Sequence, residues 1–153
     1  MTIENLSFEV TELVHLERSW ERLTRKGKTW DSLAVELDYS VPKASYSRKR
    51  GEVAVETQYI FTAFDASIED SAPLGKVTSR FAVVMRASRE ITELDVEQGA
   101  LNQTTGLAHE TSHPYHRMLI ETMTREMGLP PFSLPFDFEG VAAMATEGDD
   151  SDD

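Results

Sequence analysis

The sequence has no cysteine, so a disulfide framework, a thiol nucleophile and a thiolate metal site are all excluded. No apolar run approaches the roughly 18 residues that a membrane-spanning helix needs. The first twenty residues carry Glu4, Glu9, Glu12 and Glu17 and lack a basic start followed by an apolar core. A secretory signal is therefore not expected, and a cytoplasmic location is. Basic residues are few: Lys+Arg 15 stand against Asp+Glu 27, for a net charge of −12. Such a surface repels phosphates and argues against general nucleic-acid binding. There is no G-x-x-x-x-G-K-[ST] loop to cradle a nucleotide, so binding activity has to be passive. What is there is ordinary for a globular domain, with 153 residues, 40% hydrophobic and 27% charged, enough for one core rather than two.

No internal repeat is visible. Five acids, Glu147, Asp149, Asp150, Asp152 and Asp153, fall in the last seven residues, which predicts a single domain over 1–146 and a disordered acidic tail over 147–153. Strand patterns precede about Ser88 and helical patterns follow it. That segregation predicts an α+β fold, a four-stranded antiparallel sheet with helices on one face. The strands are read as Phe8 to Trp20, with a bulge near Glu12–Val14, then Leu33 to Tyr39, Glu52 to Ala66 and Lys76 to Ser88. The intervening Pro42 to Gly51 and Asp70 to Gly75 read as hairpin loops. Helices are expected from Glu90 to Asn102 and from Pro114 onward, the second ending at Gly128, with a short amphipathic turn over Phe138 to Ala145. The second face of the third strand carries Ile60 and Phe64, apolar groups that predict a covered rather than a fully wet surface.

His109-Glu110-Thr111-Ser112-His113 fits H-E-x-x-H, in which two histidines one helical turn apart chelate zinc and the glutamate activates water. His116 offers a third nitrogen. Pro114, however, directly follows His113 and disfavours a helical conformation there, and Gly106 precedes the motif. The expectation is a polar loop between two helices, with no metal and no enzymatic activity. A zinc peptidase is the remote alternative.

The stretch His113 to Val141 combines Pro114–Tyr115 at a helix start, a stop at Gly128–Leu129–Pro130–Pro131, and an extended Leu134–Pro135–Phe136–Asp137–Phe138. In this combination the chain resembles SecB, the bacterial protein-export chaperone family. The likeness extends to Phe8–Leu16 as a first strand, to Trp30 ahead of Val35–Tyr39, and to the order of the remaining strands, helices and acidic tail.

The resemblance implies a homotetramer (a dimer of dimers) that needs no ATP or cofactor. It holds unfolded preproteins in apolar grooves and delivers them to the translocase motor SecA. Burial of apolar surface is non-directional, at about 25 cal/mol per Å², so such grooves accept many sequences. Candidate groove residues are Trp20, Trp30, Tyr39, Phe64, Phe132, Leu134 and Phe136, while Tyr115, Met118, Met123 and Met127 are left to the core or a subunit interface. SecA docking by acidic groups on the sheet falls on Glu17 and Glu21, and a third acidic position of the family falls near Arg80. The alternative within the class is a SecB-like chaperone dedicated to one client, such as the antitoxin of a toxin–antitoxin system.

Overall fold

The computed structural model describes residues 5–22, 33–67, 72–129 and 132–149. It is an α+β arrangement of β1 (Phe8–Arg22), β2 (Leu33–Ser40), β3 (Ala44–Ser47), β4 (Glu52–Asp65), β5 (Gly75–Ala87), α1 (Glu93–Glu97), α2 (Ala100–Glu126) and α3 (Phe138–Asp149). The four long strands lie in the order β1-β5-β4-β2, all antiparallel. The sheet has five strands rather than the four expected. β3 forms inside the basic stretch read as a loop and pairs with the start of β4. Gly51, at φ 60°, takes the left-handed residue of that hairpin.

Period-2 alternation sorts β4 and β5 cleanly. Val53, Val55, Tyr59, Phe61 and Ala63, with Val77, Phe81, Val83 and Met85, are buried toward the helices. Ile60 and Phe64 lie on the opposite, helix-free face and are half-buried there. β1 keeps Phe8, Val10, Leu13 and Trp20 inward only by slipping register twice, between Val10 and Glu12 and between His15 and Glu17. The first slip sits beside the expected bulge. After the second, Trp20 lies opposite Val77 on the helix side, whereas Glu17 and Glu21 lie opposite Arg80 and Lys76 on the open face.

The helices differ most from expectation. Instead of a helix from Glu90 to Asn102, the chain forms the short α1, started by a Thr92–Asp95 capping box. Arg89 grips Asp95 through two bonds of 2.7 and 2.9 Å, holding that carboxyl well below the usual range with help from the Thr92 backbone. α2 then runs unbroken through 27 residues, Pro114 included. A proline removes the bond to the carbonyl four residues back. Here that carbonyl belongs to Glu110, and both Glu110 and Pro114 are on the exposed side of the helix, where water can satisfy it. The motif read as a loop is therefore helical. The far end closes as expected at Gly128, φ 74°, with Leu129 N–H bonded to Thr124 O and Gly128 N–H to Arg125 O. α3 continues to Asp149, three residues into the stretch expected as tail.

Two packed clusters hold α2 on the sheet. One joins Val53, Val55, Val83, Met85 and Ile91 to Ala108. The other joins Leu37, Tyr59, Phe61 and Val77 to Ile120, Met123 and Met127, and includes Leu134 and Val141 from the C-terminal segment. No helix among the described residues is long and apolar enough to cross a membrane.

Candidate functional site

Between the two clusters runs a buried polar layer. His109, Ser112, His113 and His116 recur at helical spacing on the inner face of α2, above Thr57 and Tyr59 of β4 and Ser79 of β5. Their protons can be assigned from the partners. Ser112 Oγ donates to Ala108 O at 2.8 Å, so Thr57 must donate to Ser112, 2.7 Å away. Thr57 then accepts from His116 Nε2–H at 2.9 Å, and His116 Nδ1 accepts from Ser79 at 2.7 Å. The His116 ring also stacks on Tyr59, centroids 3.9 Å apart. Burial, with His113, His109 and His15 nearby, pushes the His116 imidazole down to about 3, so it is neutral.

His113 is engaged on both sides. Its Nε2–H donates to Pro135 O at 2.8 Å, and its Nδ1 accepts from the Tyr59 hydroxyl at 2.8 Å. Burial, with Tyr39 close by, raises Tyr59, which keeps its proton to donate. His109 stacks on Phe138 at 4.3 Å and meets Tyr39 edge-on at 5.7 Å. Burial lowers its pKa, and its Nδ1 has no hydrogen-bond partner among the described residues. The H-E-x-x-H histidines thus do share a helix face, but both nitrogens of His113 are spent within the fold. The described residues hold no cluster of metal-type ligands. The imidazoles join helix, sheet and C-terminal segment.

That C-terminal segment, Phe132 to Phe136, is an extended strap lying between α2 and β2. Phe132 packs on Phe61, rings 5.1 Å apart, and Leu134 is buried among the second cluster. Arg117 Nε donates to Leu134 O at 3.1 Å, and its guanidinium lies over Phe136. Phe136 itself is 84% exposed.

The candidate groove residues do not form one surface. Phe132 and Leu134 fill the trough floored by β2 and β4, and Tyr39 lines it, in contact with Phe138. Trp20 is half-exposed on the helix side of β1, Phe64 lies on the opposite face, and Trp30 is outside the described residues. Glu17 and Glu21 share the open face, where Glu17 meets Arg80 at 3.7 Å. Of the methionines and tyrosine left to core or interface, Met123 and Met127 are buried, whereas Tyr115 and Met118 are 46% and 56% exposed. The sequence reading missed His113 and Arg117 as anchors of the strap. The stripe His109, Ser112, His113, His116, Ile120 was the available signal, because it keeps helical phase straight across Pro114.

No family model and no curated protein matches the sequence. Among solved structures, the fold is similar to that of the Mycobacterium tuberculosis SecB-like chaperone Rv1957, solved in complex with a ChAD peptide from the HigA1 antitoxin Rv1956. Identity is 14% and the TM-score 0.64, over 84% of this chain and 89% of that one. A Streptococcus agalactiae protein of unknown function aligns at 8% identity over 86% of this chain and 98% of its own, with a TM-score of 0.42. The fold of this chain, an antiparallel sheet with helices packed on it, is thus SecB-like.

Proposed function

We propose that this chain is an ATP-independent SecB-like chaperone of the cytoplasm, dedicated to a narrow client of the antitoxin kind. The observation that carries the reading is the fold likeness over most of both chains to a SecB-like chaperone whose structure holds an antitoxin peptide. The apolar trough between α2 and β2 suits an extended client, since it offers buried surface and backbone-directed donors rather than a reacting group. General delivery to SecA is the second reading, favoured by Glu17 and Glu21 on the open face. Against it, Arg80 and Lys76 stand opposite those carboxylates and offset their charge toward a basic partner.

Assembly as a dimer of dimers belongs to the same reading. Trp20, Tyr115 and Met118 expose large apolar surface on the helix side, the kind of patch that a subunit contact covers. Light scattering at micromolar concentration should give a tetramer, and a mass near 17.2 kDa across the series would sink this part. Calorimetric titration with three probes tests the rest: an antitoxin C-terminal peptide, an unfolded preprotein and purified SecA. Binding to the antitoxin peptide without SecA is the expected result. Micromolar SecA binding together with a broad preprotein range would hand the function to general export.

A further inference from the structure

The strap enters the trough as an extended chain with apolar residues two apart. Phe132 and Leu134 point in, and Ser133 between them is exposed. Among the described residues it pairs with no strand, because the only ladder partner of β2 is β4. Its backbone carbonyls at Leu134 and Pro135 are instead held by two side chains of α2, Arg117 and His113. A main chain held only at its carbonyls, with alternate side chains buried, is the binding mode expected for an unfolded polypeptide. The donors recognise carbonyls, which every peptide unit has, so sequence enters only through what fits beside them. We propose that the strap is a displaceable placeholder: it occupies the trough in the empty protein, and an extended client segment with apolar residues two apart replaces it.

This rests on the chaperone reading and adds its regulation. Releasing the strap costs two hydrogen bonds and the burial of Phe132 and Leu134. A client that supplies carbonyls to Arg117 and His113 and apolar groups to the same positions restores both. The strap is tethered and the client is not, so a client is held only where it fits better than the strap or is present above the strap's effective local concentration. The empty trough, meanwhile, is kept from exposing Leu33, Val35 and Phe61 to water.

Two variants and one exchange measurement test the proposal. Arg117→Ala removes a half-exposed anchor, and Leu134→Ser removes a buried one, with circular dichroism confirming the fold. The apolar dye anilinonaphthalene sulfonate, used without any client, should fluoresce at least threefold more on both variants than on the parent. An unfolded carboxymethylated protein, or a synthetic peptide of residues Phe132–Phe138, should bind Leu134→Ser at least threefold tighter, whereas Arg117→Ala, which takes a donor from strap and client alike, should gain no affinity. On adding either ligand to the parent, amides of residues 132–143 should exchange faster while α2 stays protected. If the strap is a fixed wall of the groove, Leu134→Ser weakens binding and the strap amides slow on adding client, and the proposal falls. Unchanged dye fluorescence in Arg117→Ala overturns it as well, even if Leu134→Ser fails to fold. Dye fluorescence that rises while no polypeptide binds parent or variants removes the chaperone reading and leaves the strap as a cover.

Discussion

On the β2 flank of α2, His109, His113 and Arg117 meet Phe138, Pro135 and Leu134, and a stretch of chain closes over the apolar floor. On the β1 flank, Tyr115 touches Phe81, rings 5.9 Å apart, and Met118 faces solvent beyond it. Both flanks are apolar where the helix meets the sheet, but among the described residues only the first carries polar groups aimed at a covering backbone. A surface finished with directional donors is built to receive a main chain. A surface finished with large, adaptable side chains is built to meet other side chains.

The largest effect expected from breaking this contrast is on the covered flank. Phe61→Ala removes a fully buried ring from both the core and the strap seat and should cost about 3–5 kcal/mol, measured by urea unfolding. A change much below this would mean that the trough collapses readily and the strap is not seated on a rigid floor.

Acid should act on the layer beneath α2. His116 is held neutral in the fold at about 3 against 6.5 when unfolded. The unfolded chain thus binds the extra proton, and stability is whole above 6.5 and falls as pH drops through it. The loss should be about 1.7 kcal/mol between pH 6.5 and 5, the slope steepening toward about 1.4 kcal/mol per pH unit as the unfolded imidazole becomes fully protonated. Unfolding curves across that window check it, with His116→Gln expected to flatten the slope.

On the open flank, Tyr115→Ser with Met118→Ser should shift the stability of one protomer by no more than about 0.5 kcal/mol, yet reduce the mass seen by light scattering to that of smaller species. If assembly survives, the contact surface lies elsewhere, and the contrast between flanks loses its functional meaning. The smallest effect is expected far from both. Glu17→Gln breaks a long, half-exposed pair with Arg80 and should change stability by less than about 0.3 kcal/mol, with no change in mass. A larger change would show that the open face is less wet around this pair than its half exposure implies.

The strands were legible because alternation repeats over many residues in β2, β4 and β5, and a half-buried sheet leaves that signature in any sequence. β3 was not, because Ala44-Ser45-Tyr46-Ser47 is short, polar and embedded in a basic run. Its pairing comes from the neighbouring β4, a tertiary cause that local composition does not carry. α2 was split in the reading at Pro114 and Gly106, residues that are breakers in isolation. Packing on two clusters outweighs them, and the exposed position of Pro114 gives water access to the carbonyl it orphans. Of the candidate site, the extended character of Phe132–Pro135 was readable from its prolines, but the extended stretch expected to run to Phe138 ends in a bend at Phe136–Asp137, and Phe138 already begins α3. The segment's role was not readable, since whether an apolar residue lines a trough or fills it depends on which chain lies opposite.

The series Ser79, His116, Thr57, Ser112, Ala108 O has a consequence for how α2 finds its place. Greasy contacts tolerate sliding, because a leucine-sized group one turn along fits nearly as well as its neighbour. Hydroxyls and imidazoles do not, since every bond in the series points one way and each group has a single complement. A helix rotated or advanced by one residue would bury several of them unpaired, at about 1–3 kcal/mol each. The series therefore acts as a key cut for one alignment. It adds little net binding of helix to sheet but penalises every other seating, so that His113 and Arg117 arrive where the strap's carbonyls are.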